Sequence, residues 1–488
     1  MKHSFRSLLS TFVLASGAAA FGSVLNWQDI TYTTHDKVPL KIPAQSARLA
    51  VPEDPANPGG PQVELMVYRL PSTSPKSGAP VIYLHGGPGG ASAEHLEQPA
   101  FRALFQELRA HGDVVLFDQR GCGKSTPSLV PGVDAPAFPS DALASREKML
   151  AYFSALSVVV RNRLVASGHD PHRYTIVESV ADIEALRQAL GAEKMVLLGH
   201  SYGTQLAQEY ARRHPASVER MILVGSRGMD TSRKLPVETD EFLARIATMV
   251  RADPTVGAKF PDFLATLRSV LAKLDEAPLA VTMEDAQKRP FTLTVGGDAL
   301  RFIIAKFYLK DPESFKFLPK LVDELNTGRR PWSLVFNLSQ LLRSPISLAW
   351  FTTDAASGLS PARDRVIAAQ APIALLGGMM NFPFPEINRV WNMPDLGDDF
   401  RTPIRTDVPT LFVGGTLDGI TPVAQTREIM TGFSHACLLV VENGGHDSQL
   451  SAPGVASAIA GFVAGRAPPE TAQLPVPAFM PLIAQPTK

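Results

Sequence analysis

The sequence predicts an α/β protein: a mostly parallel central sheet flanked by helices, with a helical cap domain inserted between its strands. Three observations lead there. Short apolar runs of strand length alternate with helix-length segments, the pattern of a sheet covered on both faces. One run, Met195-Val196-Leu197-Leu198, stops at Gly199-His200-Ser201-Tyr202-Gly203 and passes directly into a helical segment. A helical, proline-punctuated block over residues 229–400 then separates the last strand-like runs from the earlier ones, and it is too long to be a loop.

Taken in order, Lys2, His3 and Arg6 precede an apolar stretch over residues 8–20 that closes on Gly17-Ala18-Ala19-Ala20. A basic start, an apolar middle and a small-residue end make residues 1–20 a secretory signal peptide. The apolar part is shorter than the roughly 20 residues that a membrane-crossing helix needs. No other segment is expected to cross a membrane. The processed chain is therefore expected to be exported, periplasmic or extracellular, without stable membrane insertion.

Residues 21–228 form the first part of the sheet domain. Strands are expected at 46–51 and 62–70, around the turn-rich segment 53–61, then at 81–84, 114–117, 195–198 and 221–224. Helices are expected at 96–108, at 175–190 behind the capping box Thr175-x-x-Glu178, and at 204–214, ended by Pro215. In the cap, residues 229–400, Phe242, Ile246, Met249 and Val250 share one helical face, as do Phe263, Leu267, Val270, Leu271 and Leu274. The sheet resumes in residues 401–466 with strands at 410–413 and 438–441. Residues 467–488 are a proline-rich tail, expected to be irregular. A cap inserted here belongs over the carboxyl edge of the sheet, where open α/β folds bind ligands.

The 488 residues carry 47 Lys+Arg against 47 Asp+Glu with no long run of one sign, which removes the electrostatic ground for a nucleic-acid partner. The two cysteines, Cys122 after one strand and Cys437 before another, belong to opposite edges of a parallel sheet. Strand length separates those edges by roughly 17 Å, beyond bridging distance, so two free thiols are expected.

A serine between two glycines at a strand-to-helix elbow presents its hydroxyl at the strand's carboxyl end. The hydroxyl is a poor nucleophile until a base takes its proton and an acid orients that base. Asp418 follows strand 410–413 in Gly414-Gly415-Thr416-Leu417-Asp418-Gly419, and His446 follows strand 438–441 in Gly444-Gly445-His446. Serine, aspartate, histidine is the chain order of an α/β-hydrolase. His435 and Asp407 precede their strands and belong to the other edge. The loop His85-Gly86-Gly87-Pro88-Gly89-Gly90 stands where that fold supplies one oxyanion-binding N–H, assigned to Gly87 because Pro88 has none; Tyr202, after the serine, supplies the second. The segment Asp118 to Ser125 ends in Gly-Lys-Ser but has Asp118 where a phosphate-binding loop needs glycine, so a buttressing turn is expected instead. No metal or organic cofactor is called for.

His85-Gly-Gly-Pro-Gly-Gly90, Asp118-Gln-Arg-Gly-Cys-Gly-Lys-Ser125 and Gly199-His-Ser-Tyr-Gly203 together resemble the proline iminopeptidase family of serine peptidases. Gly297-Asp-Ala-Leu-Arg301 and Gly415-Thr-Leu-Asp-Gly419 are closer to its secreted tripeptidyl aminopeptidase-like branch. The resemblance implies an α/β-hydrolase fold under a helical cap and cleavage of peptide bonds near a free N-terminus. By motif, Ser201, Asp418 and His446 are the triad, with Gly87 and Tyr202 as oxyanion donors. It also implies cap carboxylates that hold the substrate's ammonium, for which Glu238, Asp240 and Glu241 in the first cap helix are candidates. The chain departs from the family at Tyr202, commonly Trp, and His200, commonly Gly, which bears on proline preference. The substrate is expected to be a small peptide or an ester. An esterase or lipase with the same triad, and an inactive binding module, are the alternatives.

Overall fold

In the computed structural model, residues 25–285, 287–343 and 347–482 are described; the signal peptide expected over residues 1–20 lies outside them. Ten strands form one sheet. In chain order they are β1 (Gln28–Thr33), β2 (Lys41–Pro52), β3 (Gln62–Leu70), β4 (Val81–Leu84), β5 (Val114–Phe117), β6 (Met195–His200), β7 (Val218–Val224), β10 (Thr410–Gly415), β11 (Ala436–Glu442) and β12 (Thr471–Gln473). Their spatial order is β1-β2-β3-β5-β4-β6-β7-β10-β11-β12. The first three are antiparallel to their neighbours and the rest run parallel. Val-Ile-Tyr-Leu of β4 and Val-Val-Leu-Phe of β5 are buried at every position, because helices cover both faces of the parallel part.

Helix α1 (Pro99–Leu108) packs on one face with helix Val455–Val463, burying Phe101, Leu104 and Phe105 with Ile459. On the other face lie α3 (Ile176–Ala189) and α4 (Tyr202–Arg213), through Ile183, Leu186, Leu206 and Tyr210. Thr175 caps α3 as its sequence predicts: the hydroxyl accepts from Val177 N at 3.1 Å and donates to Glu178. From β4 the chain steps outward to β5, then crosses back to β6 on the far side. That reversal opens a crevice at the carboxyl ends of β4 and β6, the usual ligand position in such sheets.

Between β7 and β10 stand α5 (Pro236–Ala252), α6 (Phe263–Glu276), α7 (Gly297–Phe307) and further short helices. The sequence leads to the expectation of a wholly helical block, and the structure corrects it. The block contains an antiparallel hairpin, β8 (Leu279–Glu284) with β9 (Pro290–Val295), whose alternating burial faces one side to the cap core. Gly296 N donates to Leu143 O at 2.9 Å and Thr294 N to Ser140 O at 2.8 Å, tying the hairpin to the segment before α2 (Arg146–Ala166). This α2 corrects a second expectation. It spans 21 residues and is long and apolar enough to cross a membrane by length and composition. Its apolar face packs on the cap instead, with the Phe153 ring against those of Phe302, Phe351 and Phe382. The tail is a third correction. Thr471–Gln473 extends the sheet beside β11, and Phe479 is buried against Phe315. Both cysteines are free, Cys122 buried and Cys437 half-buried.

Candidate active site

Ser201 sits at the bend between β6 and α4 with φ 55° and ψ −121°, a conformation that costs an ordinary residue about 1–3 kcal/mol. Close packing holds it there. A Cβ on Gly203 would overlap the Leu84 carbonyl, so α4 can approach β4 only through glycine. One on Gly86 would come 2.7 Å from Ser201 Cβ and 2.8 Å from His200 O, which puts the His85–Gly90 loop against the serine. Helix α4 begins at Tyr202, two residues before its apolar spacing suggests, because Ser201 is its N-cap.

Asp418 and His446 meet from neighbouring strand ends: His446 Nδ1 lies 2.7 Å from Asp418 Oδ2, with both residues 2% exposed. Asp418 also accepts from Ile420 N at 2.7 Å, Thr421 N at 2.9 Å and the Thr421 hydroxyl at 2.6 Å. Burial alone would raise this carboxyl. The His446 ring and the Thr421 hydrogen bonds outweigh it and hold the group below its ordinary value. An ionised acceptor fixes the imidazole proton on Nδ1 and leaves Nε2 free to act as a base. His446 N donates to Lys310 O at 2.7 Å, which anchors the ring's backbone to the cap.

Ser201 N donates to Val224 O at 2.9 Å, and a Cβ on the next residue, Gly225, would stand 3.1 Å from His446 Cε1. Serine and imidazole thus share one strand end and one cavity. No hydrogen bond joins them among the described residues; in serine hydrolases this contact commonly tightens only with substrate bound. Among the described residues the Gly87 and Tyr202 amides have no acceptor, which leaves both free to bind a developing oxyanion.

The segment from Asp118 to Ser125 is used for support. Asp118 accepts from Ser92 N at 2.7 Å and Lys124 N at 2.9 Å, and Gln119 Nε2 donates to His85 O at 3.0 Å. Buried Arg120 grips Asp182 with two bonds of 2.6 and 2.8 Å.

Cap and sheet enclose a cavity of about 590 Å³ over Ser201 and His446. Its sheet-side wall includes His85, Glu94, His95 and His200; burial lowers the His200 ring to about 3, so it is neutral at ordinary pH. Its cap-side wall includes Arg233, Lys234, Lys306, Trp350 and Asp354.

Glu238, Asp240 and Glu241 do not line the cavity, which corrects the expectation drawn from their clustering. Asp240 is occupied by Leu375 N at 3.1 Å, Glu241 is exposed, and Glu238 is half-buried on α5, where its charged neighbours are Arg363 and Lys234. Glu238 and Glu241, three apart, share one side of α5 and Asp240 points away from it, and neither side faces the cavity, so clustering in sequence did not put them on its wall. Sequence reasoning missed Thr421 and Glu94. Thr421, three residues after Asp418, carries the signal of an Asp-x-x-Thr turn; Glu94 carries none beyond its place after the glycine loop.

A family model for the alpha/beta hydrolase fold matches residues 79–291, and a second, for TAP-like proteins, matches residues 386–473. The chain has the α/β-hydrolase fold. Over 197 residues it is 34% identical to the serine protease Hip1 of Mycobacterium tuberculosis, covering 38% of this chain and 37% of that one. It is 31% identical over 223 residues to a tripeptidyl aminopeptidase of Streptomyces lividans, covering 43% and 39%. It is 30% identical over 193 residues to a proline iminopeptidase of Neisseria meningitidis, covering 37% and 47%. The match spans less than half the length of each of these relatives.

Proposed function

We propose that this hydrolase is an exported serine aminopeptidase that releases N-terminal residues or short peptides. The observation that carries the reading is the buried Asp418–His446 pair at the same strand edge, and in the same cavity, as the strained Ser201 elbow. Ser201 Oγ attacks the scissile carbonyl while His446 Nε2 takes its proton. Asp418 steadies the imidazolium, and the Gly87 and Tyr202 amides receive the oxyanion. The C–N bond breaks as His446 protonates the leaving amine. Water, deprotonated by the same ring, then releases the acyl group from Ser201.

Peptide cleavage is favoured by the peptidase names of the relatives. For a free ammonium the lining offers Glu94, which no cation neutralises among the described residues, on the wall that carries the oxyanion loop. Asp354 already has Arg227 and the Trp350 indole N–H, the latter at 2.9 Å. Aminoacyl and tripeptidyl arylamides should be hydrolysed, and a fluorophosphonate should label Ser201. Efficient cleavage of acyl esters with no arylamide turnover would make the chain an esterase; no labelling of folded protein would make it a binding module.

A further inference from the structure

The cap wall of the cavity holds more positive charge than its own carboxylates balance. Five cations line the cavity: Arg227, Arg233, Lys234, Lys306 and Lys310. Two are matched, Arg227 by Asp354 and Lys310 by Asp447 at 2.5 Å. Arg233, Lys234 and Lys306 have no carboxylate partner within ion-pair distance among the described residues.

Arg233 is the most telling. It is 6% exposed, its guanidinium lies 3.5 Å from the centre of the Phe384 ring, and one Nη donates to the Asp354 backbone carbonyl at 3.2 Å. Its other Nη is buried with no hydrogen-bond partner. Lys306, exposed as a residue, lines the same cavity with its ammonium 5.5 Å from the Trp350 ring centre. Burial pushes the Lys234 ammonium down to about 8, with Arg227 adding to the effect, so the charge is retained at neutral pH against a desolvation cost. Buried cations without counter-charge are expensive, and a ligand that brings the missing anion removes the expense.

We propose that the Ser201 cavity selects substrates bearing a carboxylate, held on the cap wall by Arg233, Lys234 and Lys306. The proposal rests on Ser201 being the nucleophile of this cavity. A guanidinium and two ammonium groups suit a carboxylate by charge and by donor count. In a peptide that carboxylate is either the free C-terminus or an Asp or Glu side chain. A substrate whose only charge is its N-terminal ammonium would meet an unfavourable wall opposite Glu94.

Three alanine-based peptides separate the sources: a tetrapeptide free acid, its C-terminal amide, and the amide with one internal Glu. Cleavage of each is followed by mass spectrometry, and affinity for the uncleavable Ser201→Ala protein by calorimetry. At least one carboxylate-bearing peptide is expected to exceed the plain amide about tenfold in kcat/KM and in affinity. Lys306→Gln, at a water-exposed position, should shrink that ratio severalfold, and so should raising the salt concentration. Arg233→Gln should shrink it too, where that protein folds. Ratios near one, or a preference for the amide, in folded protein that a fluorophosphonate still labels would overturn the proposal and leave the hydrolase reading standing. If peptides are bound but not cleaved, the acid-to-amide affinity ratio alone decides the matter.

Discussion

The two walls of the Ser201 cavity are built on opposite terms. On the sheet side, the groups around the reacting serine are mostly held within the protein: Asp418 receives three hydrogen bonds besides its contact with His446, and Asp118 and Arg120 are held by neighbouring segments, while Glu94 is the one lining carboxylate left without a cation among the described residues. On the cap side, Arg233, Lys234 and Lys306 have no carboxylate partner among the described residues, and one Nη of Arg233 is buried without a hydrogen bond. Groups fixed before substrate arrives are organised to do chemistry. On the proposal above, cations left without counter-charge choose what enters, because the incoming molecule supplies the missing interaction.

The sharpest way to break this contrast is to remove the fixed groups of the sheet-side wall. Ser201→Ala should lower kcat by at least ~10⁴-fold while leaving a folded protein that still binds peptide. Ser201→Gly should lose activity equally yet raise unfolding stability by about 1 kcal/mol, since glycine adopts φ 55° without strain. An unchanged unfolding midpoint in that variant would mean that the elbow is not strained. Asp418→Asn should cost about 10⁴-fold in kcat, because the Ile420 and Thr421 amides keep the oxygen at the Oδ1 position and leave the NH2 facing Nδ1, where it donates and holds the imidazole in the wrong tautomer. Thr421→Ala should cost less, about tenfold, with an altered pH–rate profile, since Thr421 acts through Asp418 and His446. Equal losses in Asp418→Asn and Thr421→Ala would assign both to folding instead of catalysis.

The contrast also explains which parts of the site were legible in the sequence. Strands β4 to β7, β10 and β11 announce themselves as short apolar runs, and Ser201, Asp418 and His446 each follow one of them, so strand ends alone narrow the candidates. The cap offers no such frame. Helical periodicity shows which face of α5 is buried but not what that face meets. Asp240 therefore looks like a binding carboxylate until Leu375 N is seen to occupy it. The hairpin β8–β9 did carry a signal, the alternation Leu279-Ala280-Val281-Thr282-Met283-Glu284, that a wholly helical expectation passed over. Strand β12 carried none: Thr-Ala-Gln is polar and short, and is held by the exposed backbone edge of β11.

A smaller effect sharpens the same comparison at the unpaired carboxylate of the sheet-side wall. Glu94→Gln should raise KM for peptides with a free N-terminus by roughly two- to fivefold, the worth of one partly screened ion pair. Nα-acetylated peptides of the same sequence should be unaffected. An equal loss on both would show that Glu94 supports the glycine loop instead of meeting an ammonium.

The last test concerns how dry the sheet-side wall is. His95 is buried between the rings of His85, at 4.1 Å, and Phe101, at 3.9 Å, and is hydrogen-bonded to the Tyr83 hydroxyl. Burial, reinforced by His85, His200 and Lys310, holds its ring well below the ordinary 6.5, so the folded protein keeps it neutral. In the unfolded chain the same ring takes up a proton below about pH 6.5. The unfolded state then binds more protons than the native one, so the stability due to His95 is full above pH 6.5 and falls as the solution is acidified. Acidification from about pH 7.5 to about pH 5 therefore costs stability through this group, a loss which His95→Gln removes from the pH dependence whatever it does to stability at neutral pH. Denaturant unfolding at the two pH values measures the difference. If wild type and His95→Gln lose the same amount on acidification, His95 titrates normally in the fold, and the sheet-side wall is wetter than its packing implies.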